Sequence, residues 1–162
     1  MSPVDGDVLR GAMREWTTGV AVVTSRWGDS EHGMTVNSLS SVCLDPAMVS
    51  VNLAHGTRTQ QMVEQSGFFG VTILAEDQAE IADRFAGRIA EEQDRFHGLE
   101  LYILDSGAAM IRSGLVSLDC RVVQSIALTH STLYIAEVIA VQHNRAGDPL
   151  IYHQRVYHRL GK

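Results

Sequence analysis

Residues 55–59 combine the side chains and backbone signals that favour the binding of an anion. They read His-Gly-Thr-Arg-Thr, and a glutamine follows at position 60. Because Thr57 and this glutamine stand three residues apart, they match the capping box of a helix N-terminus. Exposed backbone N–H groups and the helix dipole make such a terminus an anion site, most often for phosphate. A plain helix cap with Arg58 in solvent is the alternative, and the glycine and second hydroxyl make the two interpretations nearly equal.

A second segment places polar side chains inside a run that is patterned like a strand. In residues 33–41, Thr35, Asn37 and Ser40 are interleaved with apolar residues. Polar groups that point toward a buried face need hydrogen-bond partners, and a polar ligand is one such partner. A solvent-facing row on an edge strand is the alternative, and the periodicity does not distinguish the two.

The other polar residues match no standard catalytic or metal-binding pattern. His130 and His153 stand alone, and no spacing joins a Ser/His/Asp or Cys/His set. The sequence has neither a Walker loop nor a Gly-x-Gly-x-x-Gly turn after a strand, which excludes the standard P-loop and Rossmann sites. Cys43 and Cys120 lie far apart in apolar runs, so we expect free, buried thiols rather than a disulfide framework or a zinc site.

Length and charge exclude several classes of protein. The 162 residues predict a single domain over 1–162, and the net charge of −6 gives no support to a nucleic-acid or anionic-membrane surface. The chain does not open with a basic segment and an apolar core, and no apolar run approaches the ~20 residues of a membrane span. We therefore expect a cytoplasmic protein that binds neither nucleic acid nor membrane.

Hydrophobic periodicity predicts more strands than helices. Helices are expected over 8–16 behind Asp7 as N-cap, from Thr57 to Gly67, and from about 77 to 87. Strands are expected at 20–24, 34–44, 48–53, 68–74, 116–122, 133–141, 150–152 and 156–158, with turns at 27–33 and 144–149 and an irregular stretch over 88–107.

The order of these elements predicts a mainly β fold, an antiparallel β-barrel with a few helices packed outside. The strands follow one another through turns rather than through helical crossovers, which argues against a doubly wound sheet. The strands at 20–24 and 133–141 are apolar on both faces and need cover on both sides. Because few helices are available to supply that cover, we expect a homodimer.

Taken in order, the motifs resemble the flavin reductase-like domain of short-chain two-component NAD(P)H:flavin oxidoreductases, which is an FMN-binding split barrel. The segments that carry the resemblance cover nearly the whole chain in the family's order: 13–24, 33–38, 41–46, 55–59, 69–75, 84–87, 133–138 and 149–153. The resemblance implies an antiparallel, Greek-key-like barrel whose flavin lies in a groove at a dimer interface.

The resemblance also implies which residues line that groove. The isoalloxazine ring and ribityl chain would lie near Thr35, Val36, Asn37, Ser38, Ser41, Val42 and Cys43, with Ser50 and Asn52 also lining the ring. The turn that begins at His55 would hold the phosphate through Thr57, Arg58 and Thr59. If the flavin is FAD, Arg84, Phe85 and Phe96 would meet its adenine. His153 matches a histidine on the nicotinamide side, where it would position the substrate or supply a proton, and Tyr157 lies close behind it.

The reaction implied by the resemblance is hydride transfer from C4 of NADH or NADPH to N5 of FMN or FAD, to supply a partner flavin-dependent monooxygenase. Such a reaction needs close stacking and exclusion of water more than a titrating side chain, which agrees with the absence of an acid–base set. The alternatives are a reductase with another acceptor such as a ferric complex, a non-catalytic flavin- or haem-binding split-barrel protein, and an unliganded dimeric adaptor.

Overall fold

The computed structural model describes residues 2–89 and 94–161. Within them the elements are, in chain order, α1 (Gly6–Met13), β1 (Thr18–Gly19), β2 (Ala21–Trp27), β3 (Ser30–Val36), β4 (Ser40–Leu44), β5 (Ala47–Ala54), α2 (Arg58–Ser66), β6 (Phe68–Ile73), α3 (Ala79–Phe85), β7 (Leu101–Ile103), β8 (Ala109–Ile111), β9 (Val116–Ala127), β10 (Ser131–His143), β11 (Ile151–His153) and β12 (Val156–His158). In the described part of the chain, no helix has the length and apolar character needed to cross a membrane.

Seven strands form one antiparallel sheet in the order β3-β2-β6-β9-β10-β5-β4. Laid flat, its two edge strands would stand about 29 Å apart, at about 4.8 Å for each inter-strand spacing. The edge strands are consecutive in the chain, however, and residues 37–39 that join them can span at most about 14 Å between Val36 and Ser40. The sheet must therefore curl until β3 approaches β4, which confirms the predicted antiparallel barrel. The non-sequential neighbours β2–β6 and β10–β5 give it a Greek-key-like path.

Strand β2 separates two hydrophobic cores. Val23 points into the barrel, where it packs in one cluster with Phe69 and other residues of the curled sheet. Val22 points to the opposite face, into a second cluster with Phe85 of α3 and Ile111 of β8. Both faces of this strand are buried, as its apolar sequence predicts. The second core fixes α3 against the outside of the barrel, next to β3.

Several predicted strand boundaries are wrong; β9, for example, continues to Ala127, beyond the predicted end at 122. The turn expected over 27–33 is only two residues long, because β2 continues to Trp27 and pairs there with Ser30. Cross-strand pairing thus extends the hairpin beyond the apolar core, and Gly28 supplies the positive φ of 59° at its turn. The segment 34–44 is not one strand, since residues 37–39 separate β3 from β4.

The stretch expected to be irregular, 88–107, contains β7, which pairs with β8. Neither strand was predicted, because each is three residues long and lacks a readable alternation.

The N-terminal helix forms earlier in the chain than expected, over Gly6–Met13 rather than 8–16, and with a different cap. Asp5 is the N-cap and accepts a hydrogen bond from the Asp7 backbone N–H at 2.8 Å, so Asp7 lies inside the first turn instead. None of the residues of α1 is buried, and the side chains of Val8, Leu9 and Met13 are more than half exposed.

The two cysteines have different environments. Both are free, and only Cys120 is buried as expected, whereas Cys43 is half-buried on the edge strand β4. Burial raises the pKa of the Cys120 thiol to about 12.

Candidate functional site

The N-terminus of α2 follows the sequence pattern, with one difference. Thr57 is its N-cap: Oγ1 accepts from the Gln60 backbone N–H at 3.3 Å and donates to the Ala54 carbonyl at 3.0 Å. The Gln60 amide points elsewhere and donates to Glu64 at 2.7 Å and to the phenol oxygen of Tyr134 at 3.1 Å. The second hydrogen bond of a capping box, from the N-cap backbone N–H to the glutamine side chain, is therefore replaced. The buried Tyr134 hydroxyl needs a partner and accepts a hydrogen bond from the Gln60 amide instead.

A cavity of about 390 Å³, here called the cradle, lies between this helix terminus and β3. Its polar wall consists of His32, Thr35, Thr57, Arg58, Thr59 and Arg95. A hydrogen bond of 2.8 Å joins His32 Nδ1 to Thr59 Oγ1. Arg95 donates to the carbonyls of Gly33 and Phe85 at 3.0 Å each, which fixes its guanidinium at the rim. Arginines beside the backbone N–H groups of a first helical turn suit a phosphate.

His55 lies outside the cradle. Its Nε2 is 3.0 Å from the Thr132 hydroxyl on β10, and its backbone N–H donates to the His130 carbonyl at 3.0 Å. The structure thus brings Thr57, Arg58 and Thr59 together and turns His55 toward the β9–β10 turn.

A second cavity of about 280 Å³, here called the ring cavity, adjoins the cradle and shares Thr35 and Ala86 with it. Its remaining wall is formed by Val20, Val36, Asn37, Arg88, Tyr152 and Tyr157. Apolar and aromatic side chains with a few fixed polar groups are typical of small-molecule sites. The two cavities form one groove, with cationic and hydroxyl groups at one end and aromatic rings at the other.

One hydrogen-bond network orders the aromatic end of the groove. Arg88 donates to Asp83 Oδ1 at 2.9 Å and to the Tyr152 hydroxyl at 3.3 Å, and hydrogen bonds to Tyr152 and Asp83 raise the pKa of Arg88. Tyr157 also donates to Asp83, at 3.0 Å. Burial, followed by this bond to Asp83, raises the pKa of Tyr157 to about 12, so its phenol is neutral at physiological pH.

Residues 37–39 connect the ring cavity to β5. The Ser38 hydroxyl donates to the Asn52 carbonyl and accepts from its N–H, both at 3.1 Å, so two predicted flavin-lining segments lie side by side. Thr18 and Asn37 line a further cavity beside this connection. Among the described residues, Thr18 Oγ1 is a buried hydroxyl without a hydrogen-bond partner. An orphaned polar atom beside a groove is the kind of group that a polar ligand satisfies.

The other predicted ring residues lie on the neighbouring edge of the sheet. Ser41 and Val42 are exposed on β4, where a bulge interrupts the pairing between Ser41 and Cys43. Cys43 Sγ lies 3.0 Å from the Pro46 carbonyl oxygen. Ser50 is half-buried opposite Ser40. None of these four residues lines the cradle or the ring cavity, so their contact with a flavin stays a prediction.

The predicted adenine contacts lie in the second core. Phe85 and Phe96 are 0% and 5% exposed and meet edge to face, with ring centroids 5.2 Å apart. Phe85 reaches the wall of the cradle, but the faces of Phe96 are covered by protein. Arg84 donates to the His97 carbonyl at 2.9 Å and is ion-paired with Glu80.

His153 is half-buried on β11 and lies apart from its neighbour Tyr152, because successive side chains of a strand point to opposite faces. Its Nε2 is 4.0 Å from a Glu15 carboxylate oxygen, and its ring centroid is 5.8 Å from that of His158. Tyr152, which faces the ring cavity, was not predicted as a site residue.

Comparison with known proteins agrees with this geometry. The family model for the flavin reductase-like domain matches residues 13–161. The chain belongs to the flavin reductase-like domain family.

Relatives in this family share the length and the fold of the chain. An NADH-dependent flavin reductase from Rhodococcus sp. is 32% identical over 155 residues, covering 94% of this chain and 85% of the relative. An NADH-dependent FMN reductase, AsuE2, from Streptomyces nodosus subsp. asukaensis is 34% identical over 159 residues, covering 94% and 83%. The solved flavin reductase PheA2 superposes with a TM-score of 0.89 at 31% identity, over 98% of this chain and 100% of that one.

Several groove residues of this flavin reductase-like domain were missed by sequence reasoning. His32, Arg88, Arg95 and Tyr152 line the two cavities. The first three lie outside the segments that carry the resemblance, and Tyr152 lies within 149–153 but was assigned no role. Tyr152 and Arg88 are 64 residues apart in the chain and meet only because α3 packs beside the β11–β12 hairpin. One sequence feature could have indicated this end of the groove. Tyr152 and Tyr157 lie in a short predicted hairpin, and two aromatic rings on one face of a hairpin need another surface to pack against.

Proposed function

We propose that this flavin reductase-like domain is an NAD(P)H:flavin oxidoreductase that transfers a hydride from NADH or NADPH to FMN or FAD. The observation that carries the proposal is the continuous groove, in which the cradle and the ring cavity share Thr35 and Ala86. A phosphate at the N-terminus of α2 and a planar ring beside Tyr152 and Tyr157 match the two ends of a flavin nucleotide. When bound, the flavin supplies the hydride acceptor, and the protein supplies orientation and exclusion of water.

Some of the groove residues would bind the flavin, and others would hold the binding residues in place. Thr57, Arg58 and Thr59 hold the phosphate with the first turn of α2. The segment from Thr35 to Ser38 lies along the ring and ribityl chain, with Ser41, Val42, Cys43, Ser50 and Asn52 on its flank. The orphaned Thr18 hydroxyl donates to a polar edge of the ligand. Thr35 is itself fixed, because its hydroxyl donates to the Ala82 carbonyl at 2.7 Å.

We assign Tyr157 to the wall of the ring site and His153 to the nicotinamide side. Tyr157 is held by Asp83, so its ring has one orientation in the groove. His153 lies on the face of β11 opposite Tyr152 and near Glu15, so we place it at the rim of the site as a positioning residue. His153→Ala then raises the KM for the nicotinamide substrate, and an unchanged kcat and KM would remove the assignment.

We propose a homodimer that covers the outer face of β5, β10 and β9. The register places Asn52, Leu133 and Ile126 in one row across these strands, on the face opposite the buried Val51. Ile126 is 38% exposed, and apolar residues in such a row favour a protein contact. Asn52 is also bonded to Ser38, so this interface would adjoin the groove.

We propose a flavin-dependent monooxygenase as the partner that consumes the reduced flavin. Relatives include the reductase components of 4-hydroxyphenylacetate 3-monooxygenase from Thermus thermophilus and of an FADH(2)-dependent resorcinol hydroxylase from Rhizobium sp., each 29% identical over 154 residues. The groove is open to solvent along Asn37 and Ala86, both exposed, which suits a flavin that leaves after reduction.

A steady-state matrix tests the proposed activity. NADH and NADPH are each combined with riboflavin, FMN and FAD, and oxidation of the nicotinamide is followed by absorbance. Rapid oxidation that depends on added flavin supports the reductase. Tight flavin binding without turnover would instead indicate a binding protein, and no flavin affinity would indicate an adaptor.

A further inference from the structure

We propose that a three-arginine cavity beside the groove binds the pyrophosphate of the nicotinamide dinucleotide, an inference that rests on the proposed reductase activity. The cavity has a volume of about 170 Å³ and is lined by Arg10, Met13, Arg14, Trp16, Asn37, Tyr152, Gln154 and Arg155. This cavity shares no lining residue with the cradle and is therefore separate from the residues assigned to the flavin phosphate.

The charge of this cavity contrasts with that of the whole chain. The sequence holds 13 Lys+Arg against 19 Asp+Glu, yet three arginines converge on this small space. Arg10 is ion-paired with Asp7. Within residues 2–89 and 94–161, no carboxylate oxygen lies within 4.0 Å of the guanidinium nitrogens of Arg14 or Arg155. Two guanidinium forks that keep their donors available match the oxygens of a pyrophosphate, which accepts paired hydrogen bonds.

The two segments that carry Arg14 and Arg155 are clamped together. The Gln154 backbone N–H donates to the Arg14 carbonyl at 3.1 Å, and the Gln154 amide donates to the Glu15 carboxylate at 3.0 and 3.3 Å. This contact fixes the end of α1 against the β11–β12 hairpin. The same contact holds the neighbouring acid, Glu15, because the Glu15 carboxylate accepts hydrogen bonds from the Gln154 amide.

The hairpin turn at this cavity is strained. Gln154 and Arg155 are its two central residues, with φ of 49° and 67°, the positive values that a two-residue hairpin turn normally assigns to asparagine and glycine. Non-glycine residues in such conformations cost energy, persist where the surrounding structure fixes them, and cluster at functional sites. Here the Gln154 side chain forms the clamp, and the Arg155 side chain reaches the cavity.

The position of the cavity fits the geometry of a bound dinucleotide. Asn37 and Tyr152 line both this cavity and the ring cavity, so the two spaces are continuous. A nicotinamide that stacks on a ring in the ring cavity carries its ribose and then its pyrophosphate outward, and the arginines lie along that path. Trp16, 67% exposed on the cavity wall, offers a flat aromatic face for the adenine beyond.

Binding of ADP, which contains the pyrophosphate and lacks the nicotinamide, tests the proposal without turnover. Calorimetric titration compares the parent with Arg14→Gln/Arg155→Gln, and with the control Arg26→Gln, which removes one arginine from the distant β2–β3 hairpin. We expect ADP affinity to fall about tenfold or more in the double variant, as loss of charged hydrogen bonds predicts, and to stay unchanged in Arg26→Gln. The KM for NADH should rise in parallel while the Kd of FMN stays constant. Lysine at both positions should restore part of the ADP affinity, because it keeps the charge and loses the fork.

Other results would overturn the inference. Equal ADP affinity in parent and double variant would exclude the cavity as the pyrophosphate site. Weakened binding of 2′-AMP without an effect on ADP would place a 2′-phosphate there instead. A change in sedimentation coefficient in the double variant would assign the arginines to contacts between copies of the chain. If the parent itself fails to oxidise NADH or NADPH with any flavin, the proposed activity fails, and the ADP titration still reports on the cavity.

Discussion

Replacement of Arg58 by alanine tests the cradle most directly. Arg58 is the first residue of α2 and lines the cradle together with the capping residue Thr57. A hydrogen bond to a charged group contributes roughly 1.5–3 kcal/mol, and the exposure of Arg58 places its contribution near the lower limit. We therefore expect FMN to bind about tenfold more weakly, since about 1.4 kcal/mol corresponds to a factor of ten. The helix terminus and Thr57 remain, so binding is weakened and not abolished.

Riboflavin provides the internal control, because it carries the same ring without a phosphate. Flavin fluorescence titrations measure the Kd of FMN and riboflavin for the parent, Arg58→Ala and Arg112→Ala, which removes an arginine outside the groove. Only FMN binding to Arg58→Ala should weaken, and its dependence on salt should decrease because a screened charge has been removed. Equal weakening of both ligands would show that Arg58 supports the fold of the site. Unchanged FMN binding would refute the cradle as the phosphate site.

Three further predictions concern ionisation, reactivity and packing. Because the folded state raises the pKa of Tyr157 to about 12, the contribution of this residue to stability is fully present below about pH 10, the usual tyrosine value, and is lost as pH rises toward 12; ultraviolet titration should show a late-ionising tyrosine signal that is missing in Tyr157→Phe. A thiol reagent should modify Cys43 in the native protein and reach Cys120 only on unfolding, so two equally fast thiols would contradict the buried position of Cys120. Gly70→Ala should destabilise the barrel by about 1–3 kcal/mol, because the new Cβ would lie 2.7 Å from the Met110 side chain; an unchanged urea midpoint would disprove this overpacking.

Local patterns were sufficient to predict most of the fold. The double-sided apolar run of β2 and the cap at Thr57 each report on a few consecutive residues, and both are found in the structure. The alternation in β9 predicts the strand but not its burial, because the polar residues Ser117 and Asp119 are 0% exposed. The errors arise where tertiary pairing overrides local signals. Ser30 and Trp27 extend a hairpin through residues that favour a turn, and the three-residue strands β7 and β8 exist only through each other.

The site was predictable where one segment of chain makes it. Thr57, Arg58 and Thr59 line one cavity because a single helix terminus presents them together. The aromatic end was not predictable, because Arg88 and Tyr152 meet across two elements that are distant in sequence. The three-arginine cavity is the extreme case, since it joins the first helix to the last hairpin.

The gap between the two edge strands β3 and β4, here called the seam, also determines how the barrel should respond to a ligand. Among the residues that the structure describes, each of these strands is paired with one neighbour only, so no strand there pairs with the backbone groups that face the seam. A molecule that binds along residues 35–38 takes the place of a missing strand. Its binding free energy then adds to the free energy of unfolding of the barrel. Occupancy at a hundredfold excess over Kd would stabilise the native state by about 2.7 kcal/mol. Amide hydrogen exchange in β3 and β4 would slow first when the ligand binds. The protection of these two edge strands would therefore be a measure of ligand occupancy.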